Sequence, residues 1–250
     1  MGAALPKPPA FSDPPTFGYL HFAADVWGTR GRTPFPRSGE RKAALFVELK
    51  RLALALEALD AVSFVSVYRA RLIPPLGRSA PLPAPPTARY DVCVLVQTVD
   101  VSALDAVRVT PECERLRTAL RGAVSDNAAA ASGDRFLEMP AECVRAVADV
   151  DRSRPGLFLF NYFLAEHPDE ALRCWERLVA WYVTNTGLDN STLLASTEPC
   201  PYVFVNHARW DCSLPRFAVR QFTRPSFRQQ VVVDLRAHGI VSMPIFYSIV

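Results

Sequence analysis

The sequence predicts an α+β protein built from two copies of one β-α-β-β-α-β unit. Three observations point there. Segments of strand-like and helix-like apolar periodicity follow one another in the same order in each half. Each half closes on a Met-Pro that opens a strand, at Met139 and at Met243. Between the halves stands DRSRPG, Asp151 to Gly156, with the composition of a joint. The order β-α-β-β-α-β is the ferredoxin-like arrangement. Such a unit covers one sheet face with helices and leaves the other bare. Two copies in one chain bury the bare faces against each other. The expected organisation is a flexible tail over 1–16, an N-terminal unit over 17–150, the joint 151–156, and a C-terminal unit over 157–250.

GYLHFAADV from Gly18 and GLFLFNYFL from Gly156 read as the first strands. A helix follows each. The first is expected over 39–60, with Leu45, Leu49, Leu52, Leu56 and Leu59 on one stripe. The second is expected over 168–186, with Leu172, Trp175, Val179 and Tyr182 as its stripe. Pro168 suits the first helical position, Asp169 and Glu170 suit the helix N-terminus, and Gly187 suits its end. Strand pairs come next: VSFVSVYRARLI with YDVCVLVQTVD, then LDNSTLLAS with PYVFVNHARWD. The proline-rich PPLGRSAPLPAPP is an insertion between the first pair. TPECERLRTAL and RPSFRQQVVVDL mark the second helical regions, and MPAECVRAVADV and MPIFYSIV the last strands.

Composition narrows the function. The chain has 250 residues, 50% hydrophobic and 21% charged, with net charge +3. That is an ordinary globular balance. No basic stripe with interleaved aromatics marks a nucleic-acid surface. No apolar run approaches the roughly 20 residues that span a bilayer. Six dispersed cysteines without a CxxC read as reduced, buried filler, consistent with a cytoplasmic protein. The four histidines form no HxH or HxxxH pair, so no metal site is expected. His21 and His167 read as surface or structural residues, and Arg209 and Arg216 as surface charge.

One stretch is unusual. In YVFVNHARWD, Tyr202 to Asp211, an apolar strand carries Asn206 and Trp210 on one face. His207 points the other way. A buried amide without partners costs roughly 1–3 kcal/mol, so neighbours or a ligand must satisfy it. Taken singly, Trp210 fits a core aromatic, Asn206 a satisfied buried amide and Asn161 a strand bridge. Aligning Gly18 with Gly156 sets Ala23 opposite Asn161. Aligning Asp100 with Asp211 sets Leu95 opposite Asn206 and Val99 opposite Trp210. The fold therefore does not require these polar groups, and one site per chain, in the C-terminal copy, is expected.

With Asn161 in LFLFNYF and Asn206 and Trp210 in VFVNHARWD, the C-terminal half resembles the antibiotic biosynthesis monooxygenase family of dimeric α+β barrels. It looks most like the cofactor-independent anthrone oxygenases of aromatic polyketide pathways. The N-terminal half resembles them in element order alone. The tandem form is reminiscent of the ring-opening oxygenases of angucycline pathways. The resemblance implies an intramolecular barrel, with Asn161, Asn206 and Trp210 as the catalytic set. It implies oxidation of a reduced polycyclic aromatic polyketide, an anthrone or hydroquinone, by O2 to a quinone or with ring cleavage. No bound metal or cofactor is implied, although reduced flavin from a separate reductase is compatible. Trp210 and Asn206 would hold a developing oxyanion or peroxide and Asn161 would orient the substrate. Phe163, Trp175, Tyr182 and Phe204 would form walls for a flat ligand. A non-oxidative polyketide cyclase, a non-catalytic barrel protein and a haem-binding relative are the alternatives. A homodimer of such chains is also compatible.

Overall fold

The computed structural model describes residues 9–26, 34–75, 87–125 and 135–250. Eight strands run in the order β1 (Gly18–Ala24), β2 (Val62–Leu72), β3 (Val92–Thr98), β4 (Phe136–Ala148), β5 (Leu157–Leu164), β6 (Ser191–Ser196), β7 (Phe204–Trp210) and β8 (Val241–Ile249). They close into one barrel with neighbours β1-β3-β2-β8-β5-β7-β6-β4, and every pairing is antiparallel. Read by halves, this is β4-β1-β3-β2 joined to β8-β5-β7-β6. Each half is a ferredoxin-like sheet, and the joins β2–β8 and β4–β6 tie the two together. The chain is a tandem, intramolecular dimeric α+β barrel. Among the described residues closure leaves no free sheet edge.

Helices cover the outside. The N-terminal sheet carries α1 (Glu40–Glu57), α2 (Leu104–Arg108) and α3 (Pro111–Ser125). The C-terminal sheet carries α4 (Pro168–Thr186), α5 (Leu214–Phe222), α6 (Pro225–Phe227), a π-helical turn Arg228–Val233 and α7 (Asp234–Ala237). Helix α4 begins on Pro168 and stops where Gly187 takes φ 74°, a left-handed conformation glycine adopts without strain. Helix α1 is shorter than the leucine stripe suggests. The second helical region, marked in the sequence by 224–235, is interrupted by the π-helical turn and begins earlier, at α5, which the sequence reading did not single out. Most of the proline-rich insertion, 76–86, lies outside the described residues, as do 1–8 of the expected tail. Within 9–16, Ser12 bridges Ala146 of β4 and Phe11 packs 5.9 Å from Trp175.

Strand alternation divides the core into three. Leu20, Phe22 and Ala24 of β1, with Val92, Val94 and Val96 of β3, pack under the N-terminal helices. Leu157, Leu159 and Phe163 of β5, with Phe204, Ala208 and Trp210 of β7, pack under the C-terminal helices. The barrel interior is a third, aromatic cluster around Tyr68, Phe158, Phe160, Tyr162 and Tyr247. His21 and His207 belong there too. Their rings lie 4.7 and 4.5 Å from the Phe160 ring. His21 is thus buried inside the barrel rather than at the surface. Among the described residues, no helix is long and apolar enough to cross a membrane.

Candidate functional site

Asn161 and Asn206 are direct register partners across β5 and β7. Both lie on the helix-covered face, since Leu159 and Phe163 flank Asn161 at period two and Phe204 and Ala208 flank Asn206. They are 4% and 2% exposed. Asn206 Oδ1 accepts from Ser191 Oγ at 2.7 Å, and Asn161 Oδ1 accepts from Ser242 Oγ at 2.9 Å. Ser191 belongs to β6 and Ser242 to β8, the strands on either side. A row Ser242–Asn161–Asn206–Ser191 therefore crosses all four strands of the C-terminal sheet. With both carbonyls engaged, each amide is held so that its NH2 points elsewhere. Among the described residues neither Nδ2 has a hydrogen-bond partner.

The expected walls surround this row unevenly. Phe163 and Phe204 are register partners next to the two asparagines. Trp175 and Tyr182 stand on α4, in the same apolar cluster. Trp175 is fully buried, and its Nε1–H has no acceptor among the described residues. Tyr182 Oη also makes no hydrogen bond among them, and burial raises its pKa, so it stays a neutral O–H donor. Phe217 of α5 extends the aromatic wall, with its ring 6.2 Å from Tyr182 and 4.7 Å from Trp210. Pro215 in the first turn of α5 was the sequence signal for this missed element.

Trp210 is placed differently from the asparagines. Its register partner is Leu157, four residues from Asn161, which is about 13 Å along a strand. Its Nε1–H donates to Thr186 Oγ1 at 2.9 Å, and that hydroxyl donates to Tyr182 O at 2.7 Å. The indole donor is thus already used, while the amide donors are not. Between Asn206 and Trp210 the same face carries only the methyl group of Ala208.

His207 lies inside the barrel, 3.2 Å from Tyr68 Oη, and His21 Nε2 lies 2.9 Å from Tyr162 Oη. Burial lowers the pKa of both, His21 to about 3. Neither faces the asparagine row. Arg209 is buried rather than on the surface. Its guanidinium donates to Pro155 O at 2.8 Å and pairs with Asp211. The cysteines are all free, with Cys93, Cys113, Cys143 and Cys174 buried. An open groove of about 450 Å³ lies elsewhere, lined by residues such as Pro15, Asp100, Ser102 and Glu142.

No protein-family model matches the sequence, and no curated protein does. Solved structures share its fold. An anthrone oxidase-like protein superposes with TM-score 0.60 at 13% identity, over 94% of this chain and 91% of that one. A monooxygenase candidate from Fusobacterium nucleatum subsp. nucleatum ATCC 25586 superposes with TM-score 0.52 at 7% identity, over 93% and 91%. The shared feature is the fold. Both likenesses span nearly the whole chain, so they include both halves of the barrel.

Proposed function

We propose that the protein is an oxygenase of the antibiotic biosynthesis monooxygenase type. Its substrate is a reduced polycyclic aromatic polyketide, an anthrone or hydroquinone. The observation that carries this reading is the asparagine pair: two buried amides, oriented by serines, with unpartnered N–H groups in an aromatic cluster. The two fold neighbours, one an anthrone oxidase-like protein and the other a monooxygenase candidate, support the same reading.

Dioxygen is a triplet and reacts slowly with closed-shell molecules. An electron-rich enolate or phenolate avoids that barrier by giving up one electron first. Superoxide and the substrate radical then combine to a peroxide. For an anthrone, loss of water turns the CH2 into C=O, so one O2 yields one quinone and one water. Ring cleavage is the other outcome open to such a peroxide. In this scheme the substrate supplies the electrons, and no metal or bound cofactor takes part at the reacting carbon. The protein's task is to favour the anion and confine the radical pair.

Asn161 and Asn206 suit that task. Amide N–H groups fixed in a low-dielectric site stabilise a developing oxyanion far better than mobile water does. Tyr182 Oη adds a neutral donor. Trp210 contributes a wall and holds Thr186, and its N–H reaches a ligand only if it leaves that hydroxyl. A cyclase acting by enolisation calls for a His or Tyr base beside the amides; His21 and His207 face the barrel interior, and burial raises the Tyr182 pKa, which makes it a proton donor rather than a base. A purely structural barrel would bond all three polar side chains internally; Trp210 Nε1 and both amide oxygens are so bonded, whereas among the described residues the two amide NH2 groups are not.

The test is oxygen uptake by the full chain with a panel of anthrones and naphthohydroquinones, without flavin and with a chelator present. Expected are consumption of one O2 per anthrone and the appearance of quinone absorbance. Uptake that stays at the uncatalysed rate with every substrate would sink the reading.

A further inference from the structure

Cys174 of α4 is buried one residue before Trp175. Facing it are Asp234 and His238, an i, i+4 pair at α7. One donor atom from each of the three lies within 4.8 Å of the others. Glu170, one turn before Cys174, brings Oε1 to 3.8 Å from His238 Nε2. Two i, i+4 pairs, Glu170 with Cys174 and Asp234 with His238, thus meet across a helix contact. His238 Nδ1 lies 2.7 Å from Asp234 O. A carbonyl only accepts, so Nδ1 carries a proton, and in the neutral ring Nε2 is the nitrogen with the lone pair. Metal-bound imidazoles are oriented in the same way by an outer acceptor.

A cation already sits among these donors. Arg177 Nη2 is 2.9 Å from Cys174 Sγ and 3.2 Å from Asp234 Oδ1, and its Nε is 3.0 Å from Asp234 Oδ2. Its Nη1 has an acceptor outside the cluster, Arg173 O at 3.3 Å. Thiolate, imidazole and carboxylate together suit zinc rather than the hard cations, which prefer all-oxygen sites.

We propose that Cys174, Asp234 and His238, with Glu170 as fourth donor, form a binding site for one divalent ion of the zinc type, which replaces Arg177. Binding takes the thiolate, and the Cys174 proton leaves to solvent. The ion pins α4 to α7. Helix α4 carries Trp175 and Tyr182, and α7 leads into β8 with Ser242, so the clamp spans the elements over the asparagine row. It holds structure and takes no part in oxygen chemistry, and it stands whether or not the oxygenase reading does.

The test is a titration of the chelator-washed full chain with Zn2+ against a chromophoric chelator, with thermal melts alongside. Expected are one equivalent bound and a raised Tm. Arg177→Gln removes the competing cation and tightens binding at least tenfold. Cys174→Ser and His238→Gln each weaken it at least tenfold. His238 is 31% exposed, so its variant is expected to keep the fold, which the thermal melt checks. Absence of stoichiometric binding in both wild type and Arg177→Gln overturns the proposal. So does undiminished binding in folded His238→Gln.

Discussion

Asn161 and Asn206 face each other across the β5–β7 register, and each gives its carbonyl to a serine on the strand beyond. The serines act as locks. Free to rotate, an amide presents either oxygen or NH2 to the helix-covered face. With Ser242 and Ser191 donating, the oxygen is held and the NH2 is presented.

Removing a lock is therefore expected to loosen the amide without deleting it. Ser191→Ala and Ser242→Ala each lose one hydrogen bond, about 1 kcal/mol of stability. Turnover of the folded variants is expected to fall about tenfold, less than for loss of an asparagine. Steady-state oxygen uptake and thermal melts on both variants check this. Turnover equal to wild type in both would show that amide orientation does not matter.

Trp210→Phe keeps an aromatic ring against Phe217 and Tyr182 but leaves Thr186 Oγ1 without its donor. The cost is expected in stability, about 1–2 kcal/mol, with turnover per folded molecule within a fewfold of wild type. A loss of 10²–10³ would place the indole N–H on the reacting oxygen instead, the scale of an oxyanion-hole donor.

The barrel interior sets an acid limit. His21 is held neutral by burial, with a pKa pushed down to about 3 from an ordinary 6.5. The unfolded chain binds a proton at His21 below pH 6.5 and the folded chain does not. The stabilisation is complete above that pH and is lost progressively as pH falls from 6.5 towards 3. One such group steepens the dependence by at most about 1.4 kcal/mol per pH unit. His21→Gln, which cannot titrate, is expected to flatten the fall in Tm between pH 6 and 4. An unchanged slope would contradict the buried neutral histidine.

Much of this was legible in the sequence, and the exceptions have physical causes. Helix α4 could be bounded because Pro168 and Gly187 act locally through backbone geometry. The comparison of Ala23 with Asn161 and of Leu95 with Asn206 was one residue out of phase. Ala23 and Leu95 face the barrel interior, and a shift of one residue exchanges the faces of a strand. The residues of β1 and β3 that do face the helices, such as Phe22 and Val94, are apolar. The inference of a site in the C-terminal copy alone therefore keeps its basis. The choice between a surface and a structural His21 stayed open because a lone histidine in an apolar strand does not reveal whether its face is closed by a second sheet. The serine locks were invisible because they depend on register between strands 15 and 81 residues apart in sequence. Phe158 and Phe160 likewise revealed nothing of the His21–Phe160–His207 stack until the barrel closed.

The most direct test of the central claim is the initial rate of oxygen uptake with an anthrone by folded Asn206→Ala and Asn161→Ala, each relative to wild type. If the amide pair holds the developing oxyanion, each single variant loses about 10²–10³ in turnover. The double variant then loses less than the product of the two factors, as residues acting as a unit do. Wild-type turnover in both folded single variants would contradict the account.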